Sequence, residues 1–173
     1  MGLAHSWTEQ MRRITNQVIT LWYRLPKLLL DCVQYSPKID MWSISCIIAE
    51  MFRCAGFLKG SNKQHQLDLI FQVAGMPEVE SWLKIHSMCP LWKNYDPNNT
   101  NTHKNTHTHG YKRRIKKTLT QQLPNRAWVT DSAVELMDKL LTLNPDNRWS
   151  AADALDADYF FEAPFIRRRI SCI

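Results

Sequence analysis

Ile39-Asp40-Met41-Trp42-Ser43-Ile44-Ser45-Cys46-Ile47-Ile48-Ala49-Glu50-Met51-Phe52 is the stretch that decides the fold. Apolar side chains fall on nearly every side of the helix it predicts. A surface helix carries a single apolar stripe, so this pattern marks a helix at the centre of a domain. Asp40 stands near its start, where a negative charge suits the helix dipole.

Working outward, Leu67, Ile70, Phe71 and Ala74 recur at helical spacing, which predicts a helix from about Gln64 to Ala74, stopped by Gly75 and Pro77. A third helix is predicted from Ser132 to about Leu143, with Ser132 and Glu135 at capping-box spacing and Ala133, Leu136, Met137, Leu140 and Leu141 on one face. Asn144-Pro145 ends it. A short last helix starts at Ser150, with Asp153 at its third helical position. Residues 1–38 read as irregular, and no run of alternating strand pattern stands out. The fold class is mainly α.

Composition narrows the function classes. With 173 residues, the chain can form one domain with a real core. No apolar run reaches the roughly 18–20 residues of a membrane span, and Met1 to Gln10 lack the apolar stretch of a signal peptide. The five cysteines, Cys32, Cys46, Cys54, Cys89 and Cys172, form no Cys-x-x-Cys pair. They are expected to be reduced structural thiols, with neither a zinc site nor a disulfide framework.

The net charge of +6 owes much to Lys112-Arg113-Arg114-Ile115-Lys116-Lys117 and Arg167-Arg168-Arg169. Neither cluster has aromatic interleaving, so both read as solvated basic faces rather than as a specific nucleic-acid site. Residues 98–110, Asn/Thr/His-rich and without an apolar side chain, are expected to form a disordered insert. His103, His107 and His109 within it lack rigid support for a purposeful metal site, so no metal is expected.

Four motifs then agree in order. Gly2-Leu3-Ala4 is followed by Ile14-Thr15-Asn16-Gln17-Val18-Ile19-Thr20-Leu21-Trp22-Tyr23-Arg24-Leu25-Pro26-Lys27-Leu28-Leu29-Leu30, then Asp40-Met41-Trp42-Ser43, then Leu143-Asn144-Pro145-Asp146-Asn147-Arg148. The set resembles the activation segment, central C-lobe helix and Pro-x-x-Arg turn of the cyclin-dependent protein kinases. Its wording is similar to the transcription-type members, above all the plant C-type enzymes, whose relatives phosphorylate the RNA polymerase II tail. The resemblance runs from Gly2 to about Pro164, broken by the Asn/Thr/His insert.

That resemblance implies a partial protein-kinase-like C-lobe without the N-lobe: an activation-segment remnant over 1–38, a helical C-lobe remnant over 39–165 and a basic tail over 166–173. Thr15 matches the activating phosphothreonine, whose phosphate would seek arginines. Arg13 and Arg24 are the local cations, and Gln17 replaces an arginine common in the transcription-type enzymes. Thr20, Leu21, Trp22, Tyr23 and Arg24 match the segment that seats the residue after the phosphorylated one. Pro26, Lys27, Asp40, Trp42 and Arg148 match structural positions. ATP, magnesium and a cyclin belong to the intact family, and the resemblance implies a nuclear setting.

Departures matter as much. Phosphoryl transfer is mostly positioning and charge neutralisation, and the family's Gly-rich loop, catalytic-loop Asp and Asn, and Asp-Phe-Gly aspartate have no match in these residues. Gly2 matches the glycine of that last motif, with Met1 in place of its phenylalanine. No catalytic and no cofactor-binding residue is therefore expected here. The chain reads as a truncated serine/threonine kinase, a pseudokinase-like remnant of a truncated gene or of a misplaced start, unable to bind ATP or transfer phosphate alone. The alternative is a non-catalytic binding module that competes for partners of an intact kinase C-lobe.

In the family a glutamate at position 27 pairs with the arginine matching Arg148; here Leu25-Pro26-Lys27 would bring two cations together. Ser45 replaces a family glycine in the central helix. One side of Met41–Phe52 would face water at roughly 25 cal/mol per Å² of apolar surface, and Asp40 would lack its usual donors. A marginal fold that needs a protein partner over that face follows.

Overall fold

The computed structural model describes residues 20–32, 36–77, 85, 89–94, 111–122 and 129–162. Helices joined by turns and loops make up these residues, with no strand among the described residues. A 3-10 turn at Leu21–Tyr23 leads into α1 (Pro26–Leu29), whose first residue is a proline, the one position where its missing N–H costs nothing. Leu25, Leu28, Leu29 and Leu30 are buried, so the end of the stretch expected to be irregular is a compact apolar corner.

Helix α2 (Lys38–Arg53) is the expected central helix. Met41, Trp42, Ser45, Cys46 and Ala49 form its buried side. Trp42, Cys46 and Ala49 join the large core with Phe57, Leu67, Ile70, Phe71 and Trp92. Met41 belongs to a second cluster with Leu136, Leu140, Ala154 and Ala157. Its other side is different: Ile44, Ile47 and Met51 are 42%, 46% and 64% exposed. Apolar all round in sequence, the helix is covered on one face only.

Asn62 caps α3 (Lys63–Ala74), its side chain accepting from the His65 N–H. Gly75 ends it at φ 82°, and a Cβ there would lie 2.7 Å from the Arg113 nitrogen. Only glycine suits that combination of left-handed backbone and close approach. The backbone bonds Met76 N–H to Tyr111 O and Arg114 N–H to Val73 O then dock the basic segment on the end of α3.

That segment forms α4 (Ile115–Gln122), with Ile115 and Leu119 buried and Lys116 and Lys117 exposed. Arg113 is held at 2.9 Å by Asp138 in an exposed ion pair. The helix itself is not evident from the charge run, because only two of its apolar positions are needed to anchor it.

Helix α5 (Asp131–Leu140) starts earlier than its sequence signal. Thr130, not Ser132, is the cap: its extended backbone lets the hydroxyl accept from the Ala133 N–H at 3.2 Å. Ser132 lies inside the first turn and Glu135 is exposed, so the Ser132–Glu135 box does not form. α6 (Ala151–Leu155) has the expected box, Ser150 and Asp153 capping each other reciprocally. Ser45 bridges α2 to α5, its hydroxyl donating to the Met137 carbonyl at 3.1 Å. A buried hydroxyl with an acceptor is tolerated, so the serine in place of glycine fits.

The cysteines correct the expectation of free thiols. Cys32 and Cys89 form a disulfide, with Cα atoms 4.2 Å apart across 57 residues of sequence. Their spacing carries no signal because tertiary closure, not local sequence, brings them together. Cys46 is a buried free thiol whose pKa burial pushes up.

Candidate substrate-seating surface

The described part of the segment singled out by sequence, Thr20 to Arg24, is fixed to two elements behind it. Trp22 donates its indole N–H to the Gly60 carbonyl at 3.0 Å, and its ring lies under the Lys59 ammonium, 5.6 Å from the centroid. Gln66, wholly buried at the start of α3, closes the loop: its Oε1 accepts from the Gly60 N–H at 2.9 Å, and its Nε2 donates to the Trp22 carbonyl at 3.3 Å. One amide side chain thus satisfies both strands of a loop crossing, as a buried polar group must. A Cβ on Gly60 would collide with Gln66 Oε1 and come 2.6 Å from its Cα, so the crossing admits only glycine.

The following residue is tied to α2. The Ser43 hydroxyl donates to the Tyr23 carbonyl at 2.9 Å, and the Tyr23 hydroxyl donates to Glu50 Oε2 at 2.9 Å. Glu50 also accepts the Phe57 N–H through Oε1 at 2.9 Å. The hydrogen bond to Glu50, aided by burial and by the carboxylate charge, raises the Tyr23 pKa. The result is a rigid ledge, Leu21 to Arg24, backed by α2 and the start of α3. No group on it has the chemistry of a nucleophile or general base; it can position an extended chain.

Comparison with known proteins settles the family. The model of the protein kinase domain matches residues 1–160. The chain belongs to the protein kinase family. It is 39% identical to cyclin-dependent kinase C-1 of Arabidopsis thaliana over 164 residues, which cover 94% of this chain and 29% of that protein. To cyclin-dependent kinase 9 of Homo sapiens it is 39% identical, covering 94% of this chain and 41% of the relative. A chain from the crystal structure of the yeast RNA Pol II CTD kinase CTDK-1 complex superposes with a TM-score of 0.74 at 32% identity, covering 91% of this chain and 47% of that one. The chain therefore spans less than half the length of these relatives, and its helical architecture is that of a partial kinase.

The remaining kinase-like positions divide in the structure. Arg148 is buried, 1% exposed, and its guanidinium is met by backbone carbonyls: Nε donates to Thr142 O at 2.8 Å, one Nη to Lys38 O at 2.9 Å and the other to Leu143 O at 3.1 Å. Lys38 returns the contact, its Nζ donating to the Arg148 carbonyl at 2.7 Å. Burial lowers the Arg148 pKa to about 10. The guanidinium also lies over the Trp42 ring, 5.5 Å from its centroid. With Lys27 in place of the family's glutamate, three carbonyl dipoles and an aromatic face solvate the charge, and motifs carry no signal for backbone acceptors.

Lys27 is buried too, 6% exposed, so it does not turn out to solvent. Pro26 is buried beside it at the head of α1. Trp42 is fully buried, and its indole N–H has no hydrogen-bond partner among the described residues. Asp40 is exposed in the first turn of α2, and its carboxylate takes no hydrogen bond among the described residues. Thr15, the insert over 98–110 with its histidines, and the tail over 166–173 lie outside the described residues. No group of three metal-ligating side chains occurs among the described residues, and no described helix is long and apolar enough to cross a membrane.

Proposed function

We propose that these residues are the C-terminal-lobe portion of a transcription-type cyclin-dependent kinase, in which the Thr20–Arg24 ledge seats the residue that follows the phosphorylated one. The observation that carries this reading is the ledge itself, where Trp22, Gly60 and Gln66 lock the 3-10 turn Leu21–Tyr23 in place without any catalytic group of its own. ATP and magnesium would be held by residues of a full kinase domain. This portion alone binds neither and transfers no phosphate. Thr15 is the candidate for activating phosphorylation, with Arg24 among its cations, and a nuclear setting follows from the transcription-type relatives.

The exposed Ile44, Ile47 and Met51 face of α2 supports a second element of the proposal. Polypeptide of a complete kinase domain covers it, which agrees with the chain spanning 29% of the plant relative and 47% of the yeast chain. A cyclin would meet that complete domain rather than this portion. The same face also supports the alternative of a binding module. Added in excess, such a module would lower the activity of an intact relative by occupying its partners.

Calorimetric titration of the purified chain with ATP and magnesium tests the main reading. No binding heat is expected. A saturable, magnesium-dependent heat would overturn it, and a phosphotransfer assay on a polymerase-tail peptide would then measure the activity.

A further inference from the structure

Cys32 follows α1, and its N–H bonds to the Lys27 carbonyl at 2.9 Å. Cys89 precedes a 3-10 turn (Pro90–Asn94), with its carbonyl accepting from the Trp92 N–H at 2.9 Å. Trp92 in turn packs edge-to-face on Phe71 of α3, ring centroids 6.4 Å apart. The bond between the two cysteines therefore clamps the corner that carries the seating ledge to the layer formed by α3 and Trp92. Both residues are buried, 0% and 1% exposed, in one apolar cluster with Leu28, Leu29 and Ile85.

Two features make this pair more than a static cross-link. A reduced cysteine packs as a small hydrophobe, so breaking the bond leaves no buried charge and no polar group unsatisfied. The core survives in either state, and only the tether between its two halves changes. The chain is also a kinase relative, and kinases of the cell interior meet glutathione, which keeps most thiols reduced there.

We propose that Cys32–Cys89 is a redox-responsive staple that sets how firmly the Thr20–Arg24 ledge and α1 are held against α3. Formation joins the two sulfurs, releases two protons and passes two electrons to a low-molecular-weight disulfide. With oxidised glutathione, the products are the protein disulfide and two molecules of reduced glutathione. Reduction runs the same exchange in reverse, through a mixed disulfide. Because both sulfurs are buried, exchange requires the corner to open first.

The test uses the full chain equilibrated across a series of glutathione ratios, quenched in acid, unfolded and labelled with a thiol-specific mass tag. Peptide mass spectrometry then reads the tag at Cys32 and at Cys89 separately. Both are expected to gain the tag together at a single midpoint. Hydrogen exchange of residues 20–32 should be about tenfold faster or more in the reduced form, with 131–155 changed far less. Reduction should lower the thermal midpoint by on the order of 10 °C, and Cys32→Ser should abolish the glutathione dependence of hydrogen exchange at residues 20–32. Full tagging at both cysteines under every ratio would overturn the proposal, and so would a bond that resists reduced glutathione until the chain unfolds. Co-titration without any change in exchange at 20–32 would overturn the link to the ledge.

Discussion

The two sides of α2 differ in what meets them. On the inner side, Trp42, Ser45, Cys46 and Ala49 are buried, Ser45 bonds α5, and Ser43 and Glu50 at its margin hold Tyr23. On the outer side, Ile44, Ile47 and Met51 meet water, although they are as apolar as anything in the core. One helix thus carries a finished interface and an unfinished one. The finished side explains how a short portion of a kinase keeps its ledge; the unfinished side explains why it should associate with other polypeptide.

Removing the inner anchor should have the largest effect. Trp42→Ala leaves a cavity at the centre of the main core and takes away the ring under Arg148, so a loss of about 3–5 kcal/mol is expected, enough to abolish cooperative unfolding in urea. A mild loss would mean that the inner side is less finished than its burial indicates.

Gly60→Ala comes next, about 1–3 kcal/mol, because the added methyl meets Gln66 at the crossing that fixes Trp22. Its mark should be local as well as global, a change in Trp22 fluorescence together with a lower melting temperature. An unchanged melt would break the connection between the ledge and the start of α3.

The outer side should respond in the opposite sense. Ile47→Lys is expected to stay within about 0.5 kcal/mol of the parent in urea unfolding, while reducing self-association in sedimentation. A loss comparable to that of Trp42→Ala would show the outer side to be packed after all.

The smallest effect is a control away from both sides. Hydrogen bonds from the Ser150 backbone and hydroxyl hold the Asp153 pKa below its ordinary 3.8. A depressed folded-state pKa contributes stability that is present above the unfolded value and fades as pH falls through the folded one. Asp153→Asn should therefore narrow the gap between the melts at neutral pH and below about pH 3.8, as followed by circular dichroism. An identical acid sensitivity in parent and variant would place the loss elsewhere.

How much of this was legible before the structure depends on the kind of signal. Helix α2 and α3 are readable because apolar periodicity reports burial directly, and α6 because a capping box is local chemistry. The start of α5 is misread, since Thr130 and Ser132 have equal capping chemistry and only backbone geometry distinguishes them. The Thr20–Arg24 segment is recognisable from its wording, but its support by Gly60 and Gln66, 38 and 44 residues away from Trp22, is not. Arg148 is the same lesson in charge: the sequence displays Lys27 where the family has an acid, while the acceptors that hold the arginine are main-chain carbonyls. The Cys32–Cys89 pair is invisible for a related reason, as only the closed fold makes them neighbours.

The most direct measurement of the central claim is fluorescence of an apolar-surface dye on the native chain, compared with the triple variant Ile44→Lys, Ile47→Lys, Met51→Lys. The account predicts strong dye binding to the parent and most of it lost in the variant, with the helical circular dichroism of the two alike. Weak dye binding to the parent, or a variant that loses its helix signal, would contradict an uncovered outer face.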